Sequence, residues 1–130
     1  MAVVEEALFT RLSGFAGLTA LVAARIYPVM LPQDVVLPAV SYRRIAGSRT
    51  SAMGSDTGLA HPRFEVNAWS QDYLTAKQVK EQLRAALQRW RGTVSGVEIL
   101  DTFILGERDD YEPTTLTYQI PLDVQIHHRE

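Results

Sequence analysis

Apolar and polar residues alternate near the C-terminus: Leu116, Tyr118, Ile120, Leu122, Val124 and Ile126 are separated by Thr117, Gln119, Asp123, Gln125 and His127. A period of two predicts an antiparallel strand with one buried and one wet face. Fully extended at ~3.3 Å per residue, the segment would span about 40 Å. A compact chain of this size has a radius of gyration of only ~14 Å, so the strand is about as long as the molecule. Pro121 falls in its middle and has no N–H for a ladder, which places the strand at a sheet edge or breaks it with a bulge.

Upstream, Val3, Val4, Ala7, Leu8 and Leu12 share one helical face, and Gly14 and Gly17 end that helix. Thr19 can cap a short second helical turn through Leu21, Val22 and Ala24. Three prolines between Pro28 and Pro38 forbid regular helix and predict a connector laid across the surface. A strand follows from Pro38 to Ile45, and another from Arg63 to Trp69, where Phe64, Val66 and Ala68 alternate with Arg63, Glu65 and Asn67. The intervening 46–60 segment is rich in Gly, Ser and Thr and reads as the long, mobile tip of a hairpin. After Ser70, a good N-cap, Tyr73, Ala76, Val79, Leu83, Ala86, Leu87 and Trp90 recur at helical spacing. Lys77, Lys80, Glu81 and Arg84 lie largely off that face, and Gly92 is a natural stop. A strand from Val97 to Leu105 leads through the acidic turn Asp109-Asp110-Tyr111-Glu112 into the long final strand.

The order α-β-β-α-β-β predicts an α+β fold in a single domain, 1–130. It implies one antiparallel, mainly four-stranded sheet with two main helices on one face. The other face would stay polar, carrying Arg43 or Arg44, Arg63, Glu65, Thr117, Gln119 and Asp123.

Composition narrows the function. The formal net charge of -2 leaves no cationic excess for generic nucleic-acid binding. No cysteine is present, which removes disulfides, thiolate catalysis and Cys-type zinc sites. The apolar-leaning run from Phe15 to Met30 is broken by Arg25 and Pro28 and falls short of a membrane span. Glu5 and Glu6 stand where an export signal would want positive charge.

Candidate chemistry is sparse. His61, His127 and His128 are the only histidines, and none lies in a nucleophile motif. His127 and His128 point to opposite faces of a strand and cannot share an ion. The acidic turn lacks the spacing of a calcium loop, and Gly47, Gly54 and Gly58 lack the lysine and the following helix of a phosphate cradle. No cofactor or metal is expected.

One resemblance covers nearly the whole chain. Arg25-Ile26-Tyr27-Pro28, Leu31-Pro32-Gln33, Leu37 to Tyr42, Phe64 to Ser70 with the helix after it, and the Asp109-Asp110-Tyr111 turn into a closing strand resemble the tail-completion, or head-to-tail joining, family of long-tailed bacteriophages and prophages. That resemblance implies a structural virion protein, made in the bacterial host cytoplasm and located at the head–tail junction. Its copies would form a homo-oligomeric ring, commonly a hexamer, that stops polymerisation of the tail tube protein and docks on the head–tail connector proteins. DNA would pass through the lumen without specific binding, and no membrane would be involved. Residues expected to meet neighbours are Ser48, Arg49, Thr50, Met53, Asp56 and Leu59 in the loop, Arg43 and Arg63 on the sheet, and Asp109 and Tyr111 at the acidic turn. The loop is expected to be poorly ordered in the isolated protein and to order on contact with a neighbour. Two rival readings are a monomeric ligand-binding or regulatory domain using the polar sheet face, and an enzyme assembled from Arg63, Asp123 and His127.

Overall fold

The computed structural model describes residues 3–47, 49–52 and 55–129. Three helices cover one face of a curled, mixed sheet. α1 (Val4–Ser13) buries Val4, Ala7, Leu8 and Leu12, and Glu5 and Glu6 in its first turn and Arg11 in its last complement the macrodipole. α2 (Ala16–Val22) buries Leu18 and Val22. It is a full element rather than the single turn expected. Gly17, read from the sequence as a terminator, lies in its first turn, where a Cβ would overlap the Gln82 side-chain amide of α3. α3 (Tyr73–Leu87) buries Ala76, Val79, Leu83, Ala86 and Leu87. Its N-cap is Asp72, whose carboxylate accepts from the Thr75 amide at 2.9 Å, not Ser70, whose Oγ accepts from the Asp72 amide at 3.1 Å. Gly92 does not end the helix, which stops at Leu87, and Lys80 is nearly buried, its ammonium reaching Glu107 at 3.3 Å.

The strands are β1 (Ile26–Pro28), β2 (Ala39–Ala46), β3 (Arg49–Ala52), β4 (Ser55–Ala60), β5 (Arg63–Ser70), β6 (Gly92–Val94), β7 (Val97–Glu107), β8 (Asp110–Glu112) and β9 (Thr117–Arg129). The expected four-stranded antiparallel sheet with two main helices is therefore corrected to nine strands and three helices among the described residues. β1 pairs parallel with β2, and the other pairings are antiparallel. The segment read as the long, mobile tip of a hairpin itself holds a second hairpin, β3–β4, whose ladder is made by backbone groups and needs no apolar alternation.

β9 is central, not an edge. β4 and β5 follow one another along one side of it in a single register, with Ala60 opposite His128 and Arg63 opposite Gln125. Along its other side β7 gives way to β8, from Glu107 opposite Leu122 to Asp110 opposite Gln119. Pro121 sits where that partner is interrupted. Its carbonyl accepts from the Arg108 amide at 3.2 Å, so its nitrogen faces the same link, where no strand carbonyl waits for a proton.

The core face of β9 buries Ile120, Leu122, Val124 and Ile126 against Phe64 and Val66 of β5 and Leu83 and Leu87 of α3. No helix among the described residues is long and apolar enough to cross a membrane.

Two outcomes test this packing. Phe64 is fully buried, so Phe64→Ala should lower unfolding free energy by about 3–5 kcal/mol in urea titration, whereas Leu74→Ala, at a position 69% exposed, should stay within about 0.5 kcal/mol of wild type. Hydrogen bonds from the Thr75 hydroxyl and amide hold the Asp72 carboxyl below its ordinary range. Its contribution is present above the unfolded pKa and lost as pH falls through the folded one. Asp72→Ala should lower the melting temperature at neutral pH, and the gap should close in acid.

Candidate functional site

The sheet face away from the helices is polar, as alternation requires, but its charges are paired. Arg43 Nε donates to Glu65 Oε1 at 3.3 Å, and Glu65 also lies 3.7 Å from Arg108, which in turn bonds Asp110 at 3.0 Å. Arg63 grips both oxygens of Asp123, Nε to Oδ1 at 3.2 Å and Nη2 to Oδ2. Beside this chain lies a buried amide and hydroxyl network: Trp69 Nε1 and Asn67 Nδ2 donate to Ser41 Oγ at 2.8 and 3.2 Å, and Gln119 Nε2 donates to Asn67 Oδ1 at 2.8 Å. The ion pairs Arg43–Glu65, Arg108–Glu65 and Arg108–Asp110 are exposed on the arginine side and add little stability. Their effect is to hold the face in one charge pattern.

A column of rings stands at the root of the β3–β4 hairpin. His61 stacks on His127 with centroids 5.5 Å apart, Phe103 meets His127 edge-on at 5.5 Å, and Arg89 lies over Phe103 at 5.1 Å. Burial, followed by the neighbouring His61, pushes the His127 pKa down, against a smaller upward pull from Asp101. Burial pushes Asp101 itself up, but hydrogen bonds from Arg89, the Thr102 amide and Arg91 outweigh it and leave the carboxyl below its ordinary range.

A second cluster forms on the helix side, where α3 begins. Asp109 accepts from Tyr73 Oη at 2.6 Å and Lys77 Nζ at 2.8 Å, and Lys77, then Tyr73, hold its pKa down. Tyr118 is flanked by Tyr73 at 5.4 Å and Tyr111 at 4.8 Å.

The residues singled out from sequence therefore fall into separate groups. Arg43 and Arg63 share the polar face through Glu65 and Asp123, while Asp109 and Tyr111 belong to the tyrosine cluster. Leu59 sits in β4 opposite Thr50 and Arg129. Ser48 and Met53 lie outside the described residues. Arg49 and Thr50 lie in β3 and Asp56 in β4. Among the described residues no group of three or more His, Asp or Glu is arranged to hold a metal ion. The Arg63–Asp123 pair occupies both carboxylate oxygens, which leaves that acid engaged rather than poised as a base.

Sequence reasoning passed over a set of exposed apolar side chains. Val29, Met30 and Val36 in the connector are 66%, 73% and 64% exposed, and Leu74 at the start of α3 is 69% exposed, whereas Leu116, expected on the buried face of the final strand, lies just before β9 at positive φ and is 62% exposed. The available signal was an apolar Val-Met-Leu run inside a proline-rich connector with no helical or strand period to bury it.

The histidine column makes a pH prediction. A base whose folded pKa lies below its unfolded value leaves the unfolded chain binding more protons in that window, so stability falls as pH drops through it. Wild-type melting temperature should decline between about pH 7 and pH 5, and His127→Gln should flatten that decline; an unchanged slope would contradict the assignment.

Comparison with known proteins agrees with this geometry. The fold is similar to a chain described in "Virion of native gene transfer agent (GTA) particle", with a TM-score of 0.81 at 18% identity, covering 95% of this chain and 92% of that one. No curated protein matches the sequence. Residues 6–129 match the model of the family described as "Tail completion protein gp17", and the chain belongs to that family.

Proposed function

We propose that the protein completes the phage tail as a ring, hexameric in the simplest case, that caps the head-proximal end of the tail tube and joins it to the head connector. The observation that carries this reading is the family match, which spans all but the first five residues and the last. As a tail completion protein the chain is a structural component of a phage-like virion. It acts by shape, without catalysis or a cofactor.

The geometry supports that role in two ways. The polar sheet face has its cations matched to carboxylates: Arg43 and Arg108 with Glu65, Arg63 with Asp123, and Arg89 and Arg91 with Asp101. A formal net charge of -2 adds no general attraction for polyanions. A lumen built from such a surface would let DNA pass without counterion-release binding. The β3–β4 hairpin continues directly into β5 at the side of the central strand. Contact of residues 48–59 with the tube, the connector or a neighbouring copy would thus be felt along the sheet.

Deletion of the gene from its phage or prophage tests the proposal. Electron micrographs of the lysate should show tails of abnormal length unattached to filled heads. Normal-length tails lacking only attachment would restrict the role to joining, and intact infectious particles would contradict it.

A further inference from the structure

We propose that copies of this chain join head to tail through the two opposite margins of the sheet, the turn between β8 and β9 of one copy seating in the groove beside β1 of the next. The proposal rests on the ring reading above and names the surfaces that would build the ring.

The two margins lie at opposite sides of the central strand. β1 is the last strand beyond β2 and β5, whereas β8 lies across β9 from β5. A contact between them is heterologous, one patch meeting a different patch, which is the arrangement that generates rings when the rotation closes.

Beside β1 a groove of about 380 Å³ is lined by Pro28, Val29 and Tyr42, with Glu5, Arg43 and Arg44 at its rim. Val29 forms the lip in a conformation that a β-branched residue rarely adopts, with φ of 66°, held by its amide donating to the Tyr42 carbonyl at 2.7 Å. Its side chain is nevertheless 66% exposed, and that of Met30 next to it 73%. A strained turn that holds apolar side chains out into water gains nothing from packing within the monomer. Burial against another surface accounts for it.

The opposite margin presents matching chemistry. Leu116, also at positive φ, is 62% exposed at the turn, and Tyr111 in β8 is 48% exposed. Of the four carboxylates between Glu107 and Glu112, Glu107, Asp109 and Asp110 are ion-paired to Lys80, Lys77 and Arg108, while Glu112, at the end of β8 next to the turn, accepts from the Thr114 amide. The groove offers the guanidinium of Arg44, whose side chain is 38% exposed although it already contacts Glu5. A guanidinium has five N–H donors, so it can take a second acidic partner. Apolar projections flanked by acid would meet an apolar groove flanked by arginine.

The absence of cysteine from the sequence makes the test clean. Met30→Cys and Leu116→Cys, both at exposed positions, are purified separately, concentrated until light scattering reads more than one chain, and treated with a short bismaleimide. The mixture should give cross-linked pairs containing one copy of each variant, either variant alone should remain uncross-linked, and a chain carrying both should give a ladder ending at the ring. Arg44→Glu should weaken self-association by at least about tenfold at low salt, and Glu112→Arg on the partner should restore it. Oligomers that form without the mixed cross-link, or single variants that cross-link to themselves, would overturn the head-to-tail assignment and leave the ring standing. A chain that stays single at every concentration and on added tail tubes would overturn the ring reading and this proposal together.

Discussion

The structure depends on the sharing of β9 by two discontinuous neighbours. One side of the strand is taken by β4 and then β5, the other by β7 and then β8. Almost every other element is positioned by that strand or by something bonded to it. Its even-numbered residues from Ile120 to Ile126 build the core under α3, and its odd-numbered ones, among them Gln119, Asp123 and Gln125, build the polar face. A one-residue slip would exchange these faces and bury Asp123 among Leu83 and Phe64. Burial of the apolar set and pairing of the polar set therefore fix one register together.

Much of this was legible where periodicity is strong. The alternation in β5 and β9 and the spacing in α3 marked those elements because one face of each is buried continuously. Elements held mainly by the backbone left no such mark. β3 and β4 consist of Arg, Ser, Thr, Ala, Asp, Gly and Leu without a sustained apolar period, and β1, β6 and β8 have three residues each, too few for a period to show. Gly17 and Pro121 were misread for a related reason. Each was taken as a local signal, a helix stop and a strand breaker, whereas each answers to a tertiary neighbour: Gln82 in one case, the β7–β8 interruption in the other.

The candidate site divides in the same way. Alternation placed Arg63, Glu65 and Asp123 on one face and left open whether Arg43 or Arg44 joined them; the register of β2 against β5 puts Arg43 there, opposite Glu65. The tyrosine cluster could not be anticipated, because Tyr73, Lys77, Asp109, Tyr111 and Tyr118 come from three elements and a turn distant in sequence. Exposed apolar residues were harder still. A hydrophobic residue in a sequence is read as core by default, and only the fold reveals that Val29, Met30 and Leu116 stand in water.

A protein built this way has a polar face whose cations are paired to carboxylates and two sheet margins of unlike character. The most direct measurement is cryo-electron microscopy of intact tails from the parent phage or prophage. The account predicts a single ring of this chain at the head-proximal end of the tube, with its β9-centred sheet intact in every copy. Density for the chain along the length of the tube, or its absence from the tail, would contradict it.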